Sequence, residues 1–592
     1  MAIRKEILPE AVLQFEVLER PFFWQLLFLL LILPVLCNAQ VQPHFTDATR
    51  EAGLGWRNWY GNNNANTILE TTGSGAAFFD YDDDGYLDLY VVNGALGFEG
   101  PRLRNLPRDV APPASGKEPR NALFHNRGDA TFTDATASSG TGHTGWGAGC
   151  VVGDYDNDGD RDLYLTYYGP NVLYRNEGGG KFVNLSAEAG VDDRRYGTAC
   201  AFGDYDNDGD LDLFVGNYVA FDPQTTLLPG ERRGNDFGGQ RGVASVASPE
   251  IFEAQPDVLY RNEGDGSFVD VSGVVGLNAR PGKALGALFW DWNNDGDLDL
   301  YVANDATPNL LYTNRGNATF VEEGLRLGVA YDAEGRLEGS MGVAAGDWDN
   351  DGDEDLVVSN YEGQTATLHR NDSPSFSNIS FVSGVGSSTL MPLQWGTVLF
   401  DYDRDGDEDL FIANGHVTAA LEDYFPQSSY GQKNQLFRND GGVFKDITAQ
   451  AGPGLQLVRS SRGSAAGDYD NDGDEDLFVV DKNDLPALLR NDTRSIHNWL
   501  MVRTRGSESN RDGIGARIRI RTGTQEQTRK VRAGSSYLSH NSLWVAFGLG
   551  ESAVVDTLEI GWPGGRVDQF ADVQGNRFVV VEEGGAIRPG PR

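Results

Sequence analysis

Asp154, Asp156, Asp158 and Asp162 place four carboxylates within nine residues, with Gly159 at the sixth position. Oxygen donors at positions 1, 3, 5 and 9 can wrap a hard cation such as Ca2+, and the glycine takes a tight bend that a Cβ would obstruct. Without a cation, so many carboxylates in one loop repel one another strongly. Six further loops share the pattern. Their ligand positions are Asp80, Asp82, Asp84 and Asp88; Asp204, Asp206, Asp208 and Asp212; Asp291, Asn293, Asp295 and Asp299; Asp347, Asp349, Asp351 and Asp355; Asp401, Asp403, Asp405 and Asp409; and Asp468, Asp470, Asp472 and Asp476. Only Asn293 departs from Asp, and it still offers a carbonyl oxygen. This regularity exceeds what acidic surface turns produce, so the loops are read as up to seven structural Ca2+ sites.

Position 12 separates these loops from the EF-hand, which needs a bidentate Glu there and flanking helices. Here that position holds Val91, Leu165, Val215, Val302, Val358, Ile412 and Val479, none of which can bind metal. The flanks, such as Ala201-Phe202-Gly203 and Leu211-Asp212-Leu213-Phe214-Val215, run like strands. Each loop therefore joins two strands. A second motif follows, Asn171-Val172-Leu173-Tyr174-Arg175-Asn176-Glu177-Gly178 in the second copy, and reads as a strand entering a hairpin. A fourth strand with an aromatic comes next, as at residues 131–136.

Four antiparallel strands per repeat, seven times over, predict an all-β, seven-bladed β-propeller. The seventh repeat stops after its third strand, near Asn491, and residues 44–49 have the form of the missing fourth. That segment is expected to complete the last blade and close the ring, which removes open sheet edges. Loop starts lie 74, 50, 87, 56, 54 and 67 residues apart, and the two longest spacings hold insertions at about residues 94–120 and 220–256. The insertions read as binding loops or as disordered decoration, and if a ligand site exists it is expected on them or in the central channel.

The chain carries 48 Lys and Arg against 87 Asp and Glu, a net charge of −39 that argues against nucleic acid and anionic membrane surfaces. Residues 22–36 form an apolar core too short for a comfortable membrane span, and Cys37-Asn38-Ala39 offers small residues for cleavage before Gln40. Residues 1–39 read as a secretory signal peptide, with an uncleaved anchor as the alternative. The mature protein is then secreted, extracellular or periplasmic, with no membrane span. It keeps only Cys150 and Cys200, each four residues before a first ligand, and two buried free thiols are expected.

The acidic loops end before about Ser495. Alternating segments at 500–504, 516–521, 529–532, 543–547, 557–560 and 578–581 predict a small β-sandwich-like domain over 495–592, after a propeller over 40–494. The Arg-rich first half of that domain could bind a carbohydrate or an acidic partner, but solvated strand faces explain it better. No nucleophile elbow, phosphate loop or dinucleotide fingerprint occurs. His44, His125, His143, His369, His416, His497 and His540 are scattered; His143 and His416 lie close to loop strands and could line the channel, but a His at a strand end is more often merely hydrogen-bonded. Trp292 and Trp348 take position 2 of their loops, where Tyr is usual, and read as blade packing. Arg127-Gly128-Asp129 falls on a hairpin turn that every repeat needs.

The stretch Phe202-Gly203-Asp204-Tyr205-Asp206-Asn207-Asp208-Gly209-Asp210-Leu211-Asp212-Leu213 and its copies resemble the FG-GAP, or VCBS, repeats of integrin α-type propellers. Gly513-Ile514-Gly515-Ala516-Arg517, residues 531–539, Phe547-Gly548-Leu549-Gly550 and Trp562-Pro563-Gly564-Gly565 resemble the ASPIC/UnbV domain. The pairing is similar to the cartilage acidic protein family over almost the entire mature chain. That resemblance implies a secreted calcium-binding propeller with a C-terminal β domain, of extracellular-matrix type in animals. The family's second insertion often carries cysteines; residues 220–256 have none, so a disulfide-pinned loop does not carry over. The favoured reading is a non-enzymatic, Ca2+-stabilised adhesion or interaction scaffold, monomeric, whose partner is an extracellular protein or glycan. Two alternatives stay open. One is a propeller enzyme, lyase-like on polysaccharide or tailoring natural products; the other is a lectin-like module using Trp292, Trp348, Trp395 or Trp562.

Overall fold

Each acidic loop joins an innermost strand to its neighbour, and each such pair belongs to a four-stranded antiparallel sheet. In the second blade the strands are Gly147–Gly153, Asp162–Tyr167, Val172–Asn176 and Phe182–Asn184, hydrogen-bonded in that order. The computed structural model describes residues 41–97, 109–113, 116–226, 247–277, 281–419 and 428–591. The expected signal peptide and the middle of both long insertions lie outside the described residues.

Seven such sheets follow one another, and the innermost strand of each packs on the next. Ser461–Gly467 of the last packs on Ala76–Phe79 of the first, so the ring is closed and seven-bladed. Crowding at the centre dictates small residues. Five positions before each first ligand stands Gly75, Gly149, Gly286, Gly342, Gly396 or Gly463, with Ala199 in the third blade. A Cβ on Gly342 would lie 2.2 Å from the Trp395 carbonyl oxygen of the next blade, a distance no side chain tolerates.

The seventh sheet takes its outer strand from the other end of the chain. Phe45–Asp47 pairs antiparallel with Ala487–Asn491, Phe45 opposite Asn491, as the unfinished seventh repeat predicts. Phe45 is fully buried, its ring 6.3 Å from those of Phe400 and Tyr402. Truncating a buried Phe costs about 3–5 kcal/mol. Phe45→Ala is therefore expected to lower the melting temperature by several degrees, and a wild-type melt would reject this closure.

Beyond the propeller, two four-stranded sheets face each other. One contains Asn498–Arg505, Val545–Gly550, Arg577–Glu582 and Ile587–Pro589; the other Arg517–Thr522, Gln525–Lys530, Val554–Gly561 and Val567–Gln574. Alternating inward residues such as Leu500, Val502, Ile518, Ile520, Leu558 and Ile560 are buried in one core. Two differences from the sequence reading have plain causes. The strand expected at 529–532 lies at Gln525–Lys530, because a turn through Gly523, φ +62°, starts it earlier. Val567–Gln574 is largely exposed and polar, so it shows no hydrophobic alternation.

The central channel is filled, which overturns the expectation of a ligand site there. Residues 531–542 leave the second sheet and run into the ring. Ala533 bridges Phe202, Ser536 bridges Val343 and His540 bridges Ala77. The Leu538 carbonyl accepts from the Cys150 amide at 3.2 Å, Ser536 Oγ from the Thr397 amide at 3.1 Å, and Asn541 Oδ1 from the Ala466 amide at 2.9 Å. Six of the seven blades thus hold one segment through backbone groups of their innermost strands. At its tip Tyr537 is fully buried, its ring 4.9 Å from that of Trp395, and its hydroxyl donates to the Thr72 carbonyl at 3.0 Å. Ser536 and Leu538 hold φ near +60° and +55°, a left-handed conformation costly for Leu. Cys150 and Cys200 are buried and free, as expected.

Candidate metal centres

The loops share one hydrogen-bond scheme that builds the site from the backbone outward, save that in the fifth loop Asp355 Oδ2 at position 9 is buried without the partner it has elsewhere. In the second loop, the two oxygens of Asp154 accept from the amides of Asp158 and Gly159 at 3.0 and 2.8 Å. Asp158 Oδ1 accepts from the Asp160 amide at 2.8 Å. Asp162 accepts from the Tyr155 amide at 3.1 Å and from the Asn176 amide at 2.8 Å. These amides fix positions 1, 5 and 9 before any ligand arrives. Glycine at position 6 has φ between +91° and +105° in all seven loops, as expected.

Position 3 is different. Asp82, Asp156, Asp206, Asp349, Asp403 and Asp470 each present a buried Oδ1 with no hydrogen-bond partner. A buried unpaired carboxylate oxygen costs free energy unless something positive faces it. Ligand atoms of Asp80, Asp82 and Asp84, of Asp154, Asp156 and Asp162, and of Asp204, Asp206 and Asp212 converge within 4.8 Å, close enough to hold a metal ion. Asp347, Asp349 and Asp351 do the same in the fifth loop. The donor set is all oxygen, which suits a hard divalent cation.

Electrostatics point the same way. Burial, reinforced by neighbouring carboxylates, pushes Asp154 and Asp204 up to about 7, Asp347 to about 8 and Asp355 to about 9. Such a group keeps its proton in the fold over the window between its unfolded value, 3.8, and its raised folded value. Cation-free protein is therefore expected to lose stability as pH rises from about 4 through about 8, because the unfolded chain ionises freely there while burial and repulsion oppose ionisation in the fold. Melting in chelator at about pH 5 and about pH 8 checks this. A melt that rises over the range would contradict it, and a bound cation should abolish the fall.

Two side chains tie each loop to its neighbours, and both are Asn in most copies. At position 4, Asp83, Asn157, Asn207, Asn294, Asn350, Arg404 and Asn471 are all left-handed, with φ between +55° and +63°. Asn157, Asn207, Asn294 and Asn350 donate to the position 7 Asp of the following blade, at 2.8–2.9 Å. The hairpin Asn works in the opposite direction. Asn176, Asn262, Asn314, Asn371, Asn439 and Asn491 each donate to the position 2 carbonyl of the preceding blade at 2.7–2.9 Å, and Asn126 closes the circle on Tyr469. The sequence marked that Asn only as a hairpin signal.

His125 was also missed. It replaces the Arg that most repeats carry beside the hairpin Asn, and its Nδ1 lies 3.3 Å from Asp88 Oδ1 and 3.4 Å from Asp82 Oδ2. The Asp88 carboxylate beside the imidazole favours its protonated form and pushes its pKa up to about 9. His416 instead pairs with Glu362 at 3.2 Å, and His143 packs edge-on against Tyr167. Inside the channel sits His540, carried in by the inserted segment.

The Arg-rich half of the C-terminal domain meets the loops at position 8. That position is Leu87, Leu211 and Leu298 in three loops but Glu354, Glu408 and Glu475 in the last three. Glu354, 1% exposed, touches Arg532 and lies 3.7 Å from Lys530 Nζ, while Arg529 lies 3.7 Å from Glu408. Asp512 accepts from the Asp154 amide at 3.0 Å and is flanked by Arg503 and Arg161. The acidic partner is therefore the chain's own propeller. Arg519 and Arg521 remain on the outer strand face, where Arg519 pairs with Glu559 at 2.5 Å.

A ring of four-stranded blades with acidic loops between the first two strands of each defines the class. The FG-GAP-like repeat model matches residues 113–165, 154–215, 246–302, 291–358, 347–412 and 401–479, more than half the chain, and the chain belongs to that family. Its C-terminal part, residues 506–588, matches the ASPIC and UnbV domain. Cartilage acidic protein 1 of Mus musculus is 25% identical over 333 residues, 54% of this chain and 48% of that protein. The Homo sapiens protein of the same name is 24% identical over 347 residues, 57% of this chain and 49% of its own. The chain thus aligns with about half the length of these relatives. Among solved structures, an Agrocybe aegerita lectin that recognises terminal N-acetylglucosamine overlaps with a TM-score of 0.35 at 14% identity, over 63% of this chain and 79% of that one. Among the described residues no helix is long and apolar enough to cross a membrane.

Proposed function

We propose that the protein is a secreted, calcium-stiffened propeller that acts as a non-enzymatic interaction scaffold outside the cell. The observation that carries this reading is the set of six buried, unpartnered position 3 oxygens, each beside carboxylates already oriented by backbone amides. Asp at positions 1, 3, 5 and 9 would hold Ca2+, whose role is to cancel the repulsion and lock each loop. Millimolar extracellular Ca2+ fills oxygen sites with Kd on the order of 10⁻⁴–10⁻³ M. The apolar segment at 22–36 followed by Ala39 supports export. The partner is an extracellular protein or glycan, bound by a monomer.

The inserted segment leaves no open channel for a substrate, and Trp292, Trp348, Trp395 and Trp562 are buried, so none presents a free face for stacking sugar. Metal-stripped protein titrated with Ca2+ should take up several equivalents; no uptake at millimolar Ca2+ would sink the calcium reading. Arrays of glycans and extracellular proteins, probed with and without Ca2+, test the scaffold. New unsaturated ends formed from an acidic polysaccharide would replace it with a lyase.

A further inference from the structure

The fourth loop does not fit the ion that the other six suit. Its position 3 residue is Asn293, the one ligand that is not Asp. Where the other six loops leave Oδ1 buried and unpartnered, both polar atoms of Asn293 are already used. Its Oδ1 accepts from the Asp295 amide at 3.0 Å and its Nδ2 donates to Asp295 Oδ2 at 2.8 Å. Asp295 Oδ1 in turn accepts from the Asp297 amide at 3.0 Å, so both oxygens of the position 5 carboxylate are engaged too.

A positive charge is also in place. Lys530, whose side chain is 3% exposed, puts Nζ 3.4 Å from Asp291 Oδ2, the position 1 carboxylate. The same ammonium donates to the Asp291 carbonyl at 2.5 Å and to Asn294 Oδ1 at 3.1 Å, and lies 3.7 Å from Glu354 of the next blade. Among the described residues, no other position 1 carboxylate has a Lys or Arg nitrogen within the 4.0 Å of an ion pair. The ligand positions of this loop carry three carboxylates against four elsewhere, and the ammonium neutralises one of them.

We propose that the fourth loop is not a tight calcium site and that Lys530 of the C-terminal domain serves there as a built-in cation. The loop keeps the fold of its siblings through the amide bonds to Asp291 and Asp299, while Lys530 supplies the charge that Ca2+ supplies elsewhere. The protein then takes six tight calcium ions rather than seven. The blade without one is where Lys530 joins the propeller to the C-terminal domain. This assignment rests on the calcium reading of the other loops.

The test is a count of bound Ca2+ on metal-stripped, full-length protein, by equilibrium dialysis with elemental analysis and by native mass spectrometry. Six ions in the tight class are expected, with any seventh at least tenfold weaker. The double variant Asn293→Asp with Lys530→Met restores the fourth carboxylate and removes the ammonium, and is expected to bind seven. Asn293→Asp alone, which leaves the domain contact intact, is expected to fall between the two. Seven equivalent tight sites in the wild-type protein would overturn the assignment and leave calcium binding standing, as would a folded double variant that still binds six. No bound Ca2+ at all would overturn the calcium reading, and this assignment with it.

Discussion

Excess chelator is expected to lower the melting temperature of this protein by about 5 °C or more relative to millimolar Ca2+. The size follows from mass action. A site with Kd on the order of 10⁻⁴ M contributes about 1.4 kcal/mol at about 1 mM free ion, since stabilisation grows as RT ln(1 + [L]/Kd). Six such sites give about 8 kcal/mol. Unfolding entropy for a chain of this size is on the order of 1 kcal/mol/K, so that sum shifts the midpoint by about 7 °C. The sites are also the joints between blades: Asn157, Asn207, Asn294 and Asn350 of one loop bond to the next, and Asn126 bonds the first hairpin to the last loop. Loss of the ions should therefore melt the ring as one transition. Differential scanning calorimetry with and without chelator decides it, and an unchanged midpoint would reject structural calcium. Asp156→Ala removes one unpartnered oxygen and is expected to lower the midpoint by about 1–2 °C in Ca2+ and by less in chelator.

The blade ring was legible because its evidence is periodic. Glycine at position 6, aliphatic residues at position 12 and a terminal repeat lacking its last strand are all matters of count and spacing. Phe45–Asp47 duly completes the sheet of Ala487–Asn491. Some further signals were present but carried another meaning. Position 4 is Asn in five of seven loops, as suits a left-handed residue whose amide must also reach the next blade. Glycine five residues before the first ligand marks the crowded axis. Glu at position 8 of the last three loops, against Leu in three others, marks where the basic strand of the second domain lands.

The filled channel was not legible from spacing. Residues 533–542 are small or polar apart from Tyr537 and Leu538, which reads as an ordinary loop between two strands. Its path is set by long-range pairing with innermost strands distant in sequence, and no local pattern reports that. The same holds for His125, whose neighbours Asp82 and Asp88 are distant in sequence and meet it only once the blade has folded.

Gly75→Ala is expected to separate the inserted segment from the ring. Gly75 is in ordinary backbone space, so the added methyl group brings no strain of its own; its difficulty is position. A Cβ there would stand 1.7 Å from the Leu538 carbonyl oxygen and 2.9 Å from Ser539 Oγ. Neither the innermost strand nor the segment can yield without breaking the bond from the His540 amide to the Ala76 carbonyl, 2.9 Å, or that from the Cys150 amide to Leu538, 3.2 Å. The variant is expected to expel the segment, exposing Tyr537, Leu538 and the channel faces of Trp395 and Leu285. Burial of Tyr537 and Leu538 alone is worth about 3–6 kcal/mol, and the positive-φ conformation of Leu538 stays in place only while the ring holds it. Limited proteolysis should then cut within residues 531–542, where the wild type resists. Gly55→Ala, with nothing within 4 Å of the new methyl, is the matched control and should behave as wild type. Tyr537→Phe keeps the ring edge-on against Trp395 and loses only the bond to Thr72, so about 1 kcal/mol is expected. A Gly75→Ala protein with wild-type protease resistance would mean that the segment is not held in the channel.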